Sequence, residues 1–105
     1  MDWLYLLLAG ILEIGWATGI KYTDGFSKLT PSLITIFLMV LSFGCLSIAM
    51  RTIPLGTAYA IWSGIGAVGV AALGIFYFNE PSDAARIISI LLIVGGIVGL
   101  KLASG

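Results

Sequence analysis

With 105 residues, 60% of them hydrophobic and 10% charged, and a mean hydropathy of +1.15, the chain carries far fewer charges than the roughly 25% of a soluble domain. Five Lys and Arg balance five Asp and Glu, and there is no His. That leaves no basic surface for nucleic acid, no means of building a zinc-type cluster with one Cys, and no nucleophile–base pair or cofactor site for an enzyme.

In chain order, the first apolar run extends from Trp3 to Ile20 and is closed by Lys21-Tyr22-Thr23-Asp24-Gly25. It is not expected to be a cleaved signal, because Asp2 is the only early charge and three more hydrophobic segments follow. The second run, Pro31 to Met50, is uncharged; Thr30 reads as its N-cap and Pro31 as its first helical residue. It is closed by Arg51, and Pro54-Leu55-Gly56-Thr57 reads as a short turn. The third, Thr57 to Phe78, is closed by Asn79-Glu80-Pro81. Pro81-Ser82-Asp83 then forms a turn whose polar side chains can cap a fourth run, Ala84 to Leu102, with Arg86 and Lys101 near its ends. Each run holds about 18–22 residues, roughly 27–33 Å as helix, against a hydrocarbon core of about 30 Å. The expectation is a single all-α integral membrane domain over residues 1–105, with spans of about 3–20, 31–50, 57–78 and 84–102 and no soluble part.

Four spans place both termini and the second loop on one side. That side carries Arg51 and Lys101, the other Lys21, Lys28 and Arg86, which is hardly a positive-inside bias. Two readings follow: a weak topology signal, or insertion in both orientations so that two copies meet antiparallel.

Glu13 stands near the middle of the first run. A carboxylate at a helix centre costs on the order of 3 kcal/mol on insertion scales and marks a function by default. The bland alternative is a permanently protonated group hydrogen-bonded to a neighbouring helix. The functional reading is a site where a proton and a cation compete for the same oxygens. Residues 9, 10, 16 and 17 share its face: Ala9, Gly10 and Ala17 are small, whereas the Trp16 indole can donate its N–H to the carboxylate and offer its ring to a cation. On the second helix Ser42 is one of few polar groups at that depth; the bland alternative is that it bonds its own i−4 carbonyl. Cys45 reads as an inert small hydrophobe. On the third helix Tyr59 and Trp62 are i,i+3 with Ser63 beside them, either packing or lining a cation site. The stretch 64-GIGAVG-69 matches a dinucleotide-binding fingerprint letter for letter, but no strand precedes it and the span is apolar. Gly64 and Gly66 read instead as a flexible point and a close-packed small-residue face. On the fourth helix, Ser89, Gly95, Gly96 and Gly99 form a small-residue stripe suited to helix association.

Together these residues resemble the small multidrug resistance family over the whole chain: four spans in about this length, one Glu in the first, GTAYAIWSGIG in the third and a glycine-bearing fourth. Within it, 13-EIGWATGIKY-22, with Trp three residues after Glu, is similar to the guanidinium-exporter branch; the quaternary-ammonium branch usually has a small residue where Trp16 stands. The resemblance implies an antiparallel, dual-topology homodimer in the bacterial plasma membrane. It would exchange protons for guanidinium or small guanidinyl cations, with Glu13 as the shared site. It also implies that Trp16, Ser42, Tyr59 and Trp62 line that site, with Tyr59 switching partners during the conformational change; Ser63, beside the aromatic pair on the third helix, is counted with them as a binding candidate. Gly15 and Ser63 depart from the bulkier residue and the Thr expected in that branch. Two rivals stand beside this reading. One is a polyspecific exporter of aromatic or quaternary cations, for which Gly15 and Gly19 would enlarge the cavity. The other is a non-transporting membrane subunit.

Overall fold

The computed structural model describes residues 2–104 as four helices: α1 (Asp2–Thr23), α2 (Leu29–Ala49), α3 (Leu55–Phe76) and α4 (Ala84–Ser104). All four are long and apolar enough to cross a membrane. Residues that are apolar on every side satisfy their backbone groups within the helix, the one solution open to a single segment in hydrocarbon.

The helix ends differ from the sequence expectation by up to three residues, for local reasons. α1 runs on to Thr23, whose buried hydroxyl donates to the Ile20 carbonyl at 2.7 Å and accepts the Phe26 N–H at 3.2 Å. The chain then leaves the helix through Asp24, Gly25 and Phe26, all left-handed with φ of 50, 69 and 65°. α2 begins at Leu29, and the extended residue before it is Lys28, not Thr30. Pro31 therefore lies inside the first turn, where its missing N–H would have had no helical partner. α3 begins at Leu55 because Pro54, with ψ of 145°, is the capping residue, and its carbonyl accepts the Ala58 N–H at 2.9 Å. Instead of continuing to Phe78, α3 unwinds after Phe76: the N–H groups of Tyr77 and Phe78 both reach the Leu73 carbonyl, and left-handed Asn79 turns the Glu80 N–H onto Gly74 at 2.8 Å. Before α4, the Asp83 carboxylate accepts Arg86 Nη1 at 2.9 Å. This hydrogen bond holds the exposed Asp83 carboxyl below the usual carboxylate range.

The helices alternate in direction. At one end the Thr52 hydroxyl donates to the Asp2 carboxylate and the Lys101 ammonium lies 4.4 Å from the Trp3 ring. At the other, Lys21 lies 5.0 Å from Phe78. α1 packs on both α2 and α3, while α4 leans on α3 and buries none of its own residues. The core is small: Leu6 and Ala9 from α1, Leu46 and Ala49 from α2, Ile53, and Ala58, Ile61 and Trp62 from α3. The Cα envelope measures 42 × 35 × 17 Å, a slab and not a closed bundle, with long apolar side chains such as Leu33, Phe37, Val40 and Leu92 facing outward.

Candidate functional site

The site begins with the way α1 and α3 approach one another. Three positions interlock: Ile65 of α3 fills the space over Gly10, the Glu13 side chain fills the space over Gly66, and Ile14 fills the space over Gly69. A Cβ on Gly10 would stand 2.6 Å from Ile65 Cγ2, and one on Gly66 would stand 2.8 Å from Glu13 Cγ, closer than real carbon atoms approach. Small residues let two membrane helices come together in this way, and at this seam they also set where Glu13 can lie.

Glu13 leans onto α3, and its Oε1 is buried with no hydrogen-bond partner among the described residues. The Trp16 indole N–H, one helical turn away, is likewise buried and unpartnered. The hydrogen bond that the sequence suggested between them is therefore not made, because the carboxylate rests on Gly66 and the indole packs on α2. There the Trp16 ring lies 6.0 Å from the Phe43 ring, tilted by 57°.

Ser42 ties three helices together. Fully buried, it donates to the Ala9 carbonyl of α1 at 2.7 Å and accepts the Trp62 Nε1–H of α3 at 3.1 Å. It bonds across the interface, not to its own i−4 carbonyl. Trp62 is held edge-on to Tyr59, ring centroids 5.4 Å apart, and lies 5.6 Å from Phe43. The rings thus form a continuous row, Trp16–Phe43–Trp62–Tyr59, beginning one turn from Glu13 and ending at Tyr59, which is 56% exposed. Ser63 is half-buried on the same helix. Phe43 was not among the sequence-derived site residues. A lone aromatic in an apolar span looks lipid-facing, and only its position next to Ser42 hinted otherwise.

The glycines divide among different packing partners. Gly64 and Gly66 lie within an unbroken α3 and serve close packing on two faces, Gly64 against Ile97 of α4 at 3.0 Å and Gly66 against Glu13. Gly15 and Gly19 do not widen a cavity at Glu13: they receive Leu38 and Thr35 of α2, with a Cβ at Gly19 falling 2.6 Å from Thr35 Oγ1. Gly95, Gly96 and Gly99 face open space, and the Ser89 hydroxyl bonds its own Ala85 carbonyl at 2.7 Å. The α4 stripe is thus unused within the chain. A cleft of about 450 Å³ does open between the ends of α3 and α4, lined by Ile75, Glu80, Asp83, Arg86 and Ser89 among others. It shares none of the Glu13 cluster.

Compared with known proteins, residues 1–93 match the family model described as Small Multidrug Resistance protein. A protein of Salmonella typhimurium strain LT2 named guanidinium exporter is 60% identical over 104 residues, covering 99% of both chains. Guanidinium exporters of Proteus vulgaris and Citrobacter freundii are 59% and 58% identical, each covering 99% of this chain and 100% and 99% of their own.

Proposed function

The chain belongs to the small multidrug resistance family, and from that premise we propose that it is a guanidinium/proton antiporter of the bacterial plasma membrane, acting as an antiparallel homodimer. The observation that carries the reading is the half-buried Glu13 carboxyl group near the middle of α1, whose Oε1 is buried and unpartnered, one turn from the unpartnered Trp16 indole and the start of an aromatic row. The full-length similarity to proteins named guanidinium exporter supports the choice of cation.

The chemistry follows from the donors and acceptors present. Guanidinium is a planar cation whose paired N–H groups fit the two oxygens of a carboxylate and whose faces stack on aromatic rings. An ionised Glu13 offers those oxygens and Trp16 and Trp62 offer ring faces; a protonated Glu13 offers neither charge nor a second acceptor. Proton and guanidinium therefore exclude one another at Glu13. Exchange of inward- and outward-facing conformations with one or the other bound moves them in opposite directions. A quaternary ammonium has no N–H to give and leaves the carboxylate without its hydrogen bonds.

A second copy in the opposite orientation accounts for features that one chain leaves open. The aromatic row ends at exposed Tyr59 and the Gly95–Gly99 stripe faces outward. The nearly even distribution of Lys and Arg, Arg51 and Lys101 against Lys21, Lys28 and Arg86, favours neither orientation. Two inverted protomers would bring two Glu13 residues to a common centre, the inverted-repeat arrangement of many transporters.

The test is proton-coupled current from purified protein in liposomes on a solid-supported membrane. Guanidinium is expected to evoke current that Glu13→Gln abolishes, and tetrapropylammonium to evoke none. Equal currents with both cations would refute guanidinium selectivity, and silence with both in folded protein would refute exchange altogether.

A further inference from the structure

The position of the Glu13 carboxyl raises a question that its burial alone does not answer. Glu13 and Trp16 are one helical turn apart, each carries an unpartnered polar atom, and one is an acceptor while the other is a donor. Side chains at i and i+3 meet readily on a helix, yet these two do not. The reason lies on α3. Glu13 Cγ, Cδ and Oε1 occupy the volume a side chain at position 66 would fill, and they can do so only because residue 66 is glycine.

We infer that Gly66 is a positioning residue that provides a resting seat for the Glu13 carboxyl group, turned away from the Trp16 N–H. The carboxyl then has two places: on the α3 backbone at Gly66, as here, and turned along α1 toward the Trp16 N–H, where it presents its oxygens to guanidinium. Gly66 acts through Glu13 and touches no substrate. This role differs from helix flexibility, since α3 is continuous through Gly66. It also differs from seam packing in general, since Gly69 is filled by the apolar Ile14 side chain and Gly10 by Ile65. The inference rests on the reading of Glu13 as the exchange site.

The consequence is a split between binding and turnover. Gly66→Ala denies the seat and holds the carboxyl on the Trp16 side. Guanidinium can still be bound there, but the carboxyl has lost one of its two stations. Displacements on the order of 1 Å at a reacting group cost up to ~100-fold in rate, so Gly66→Ala is expected to lower the maximal transport rate about tenfold without raising KM. A mutation that merely damaged the site would raise KM as well. Glu13→Asp shortens the side chain by one methylene and draws the carboxyl back from position 66. In the Gly66→Ala background it should therefore cost less than it does alone.

The test combines these transport kinetics with the rate at which dicyclohexylcarbodiimide, an apolar reagent for protonated carboxyl groups, modifies Glu13 in detergent-solubilised protein. Labelling is read by intact-mass spectrometry, with Glu13→Gln as blank and Gly69→Ala as the packing control. Faster labelling in Gly66→Ala than in both the parent and Gly69→Ala, with the rate loss confined to the maximal velocity, is the expected result. The inference is overturned if the folded Gly66→Ala protein labels like the parent, or if Gly69→Ala produces the same change. Labelling needs no transport, so a parent protein that moves no guanidinium would refute the exchanger reading while the seat was still being measured.

Discussion

Replacing Ser42 by Ala removes one oxygen and breaks two links at once. The hydroxyl accepts the Trp62 indole N–H and donates to the Ala9 carbonyl, joining α1, α2 and α3 at a fully buried point. The two losses are unequal. Ala9 lies inside α1, so its carbonyl keeps a helical acceptor role and forfeits a second, weaker use. The Trp62 N–H loses the buried acceptor it has in Ser42 Oγ. Hydrogen bonds between membrane helices average ~0.6 kcal/mol and reach ~1.7, which puts Ser42→Ala at about 1–2 kcal/mol of lost stability. Most of that should be shared with Trp62, so a double-mutant cycle with Trp62→Phe isolates it, the indole N–H being absent in the partner mutant. The assay is reversible unfolding of the purified protein in mixed micelles with increasing dodecyl sulfate, followed by circular dichroism. A coupling energy of about 0.5–1.5 kcal/mol is expected. Strict additivity of the two single mutants would show that the 3.1 Å contact contributes nothing and that Ser42 holds the helices by shape alone.

Gly10→Ala should destabilise the chain by about 1–3 kcal/mol, the usual cost of overpacking, because its Cβ would meet Ile65; Ile65→Ala in the same chain should recover most of that, and the same unfolding assay checks it. Asp83→Asn should leave thermal stability at neutral pH almost unchanged, since the Asp83–Arg86 pair is solvent-exposed and such pairs contribute little. The sign of its pH dependence is fixed: the Asp83 carboxyl is held below its ordinary value of 3.8. Whatever the pair contributes is present above that value and is lost only as pH falls through the lower folded value. A difference between the parent and Asp83→Asn melting curves that grew between pH 5 and 8 would contradict this.

What the sequence disclosed and what it hid follow from the kind of information each feature needs. The number of helices and their apolar character are properties of a run, readable along one dimension. Their ends were less legible because Pro54 and Thr30-Pro31 can occupy several first-turn positions at similar cost. Glu13, Trp16, Ser42, Tyr59 and Trp62 stood out as polar or aromatic groups at depth, but their partners did not. Ser42 bonds a backbone carbonyl, which every residue possesses, and nothing in the spacing singled out Ala9. Gly15, Gly19, Gly64 and Gly66 look alike in sequence, and the register between helices decides that two face α2, one faces α4 and one lies beneath a carboxylate. Phe43 escaped because its neighbours, Trp16 and Trp62, come from two other helices.

The absence of any buried residue on α4 bears on how the protein is made. α1, α2, α3 and the turn between α2 and α3 hold every buried apolar residue of the core, and they leave the ribosome first. By the time α4 is synthesised, the three helices before it can already have met in the bilayer, and α4 then docks through half-buried contacts such as Ile97 over Gly64. Formation of the buried core and docking of the last helix are thus separated in time by the order of translation. The segment that translation leaves for last is also the one whose glycine stripe, Gly95, Gly96 and Gly99, meets no other side chain of the chain.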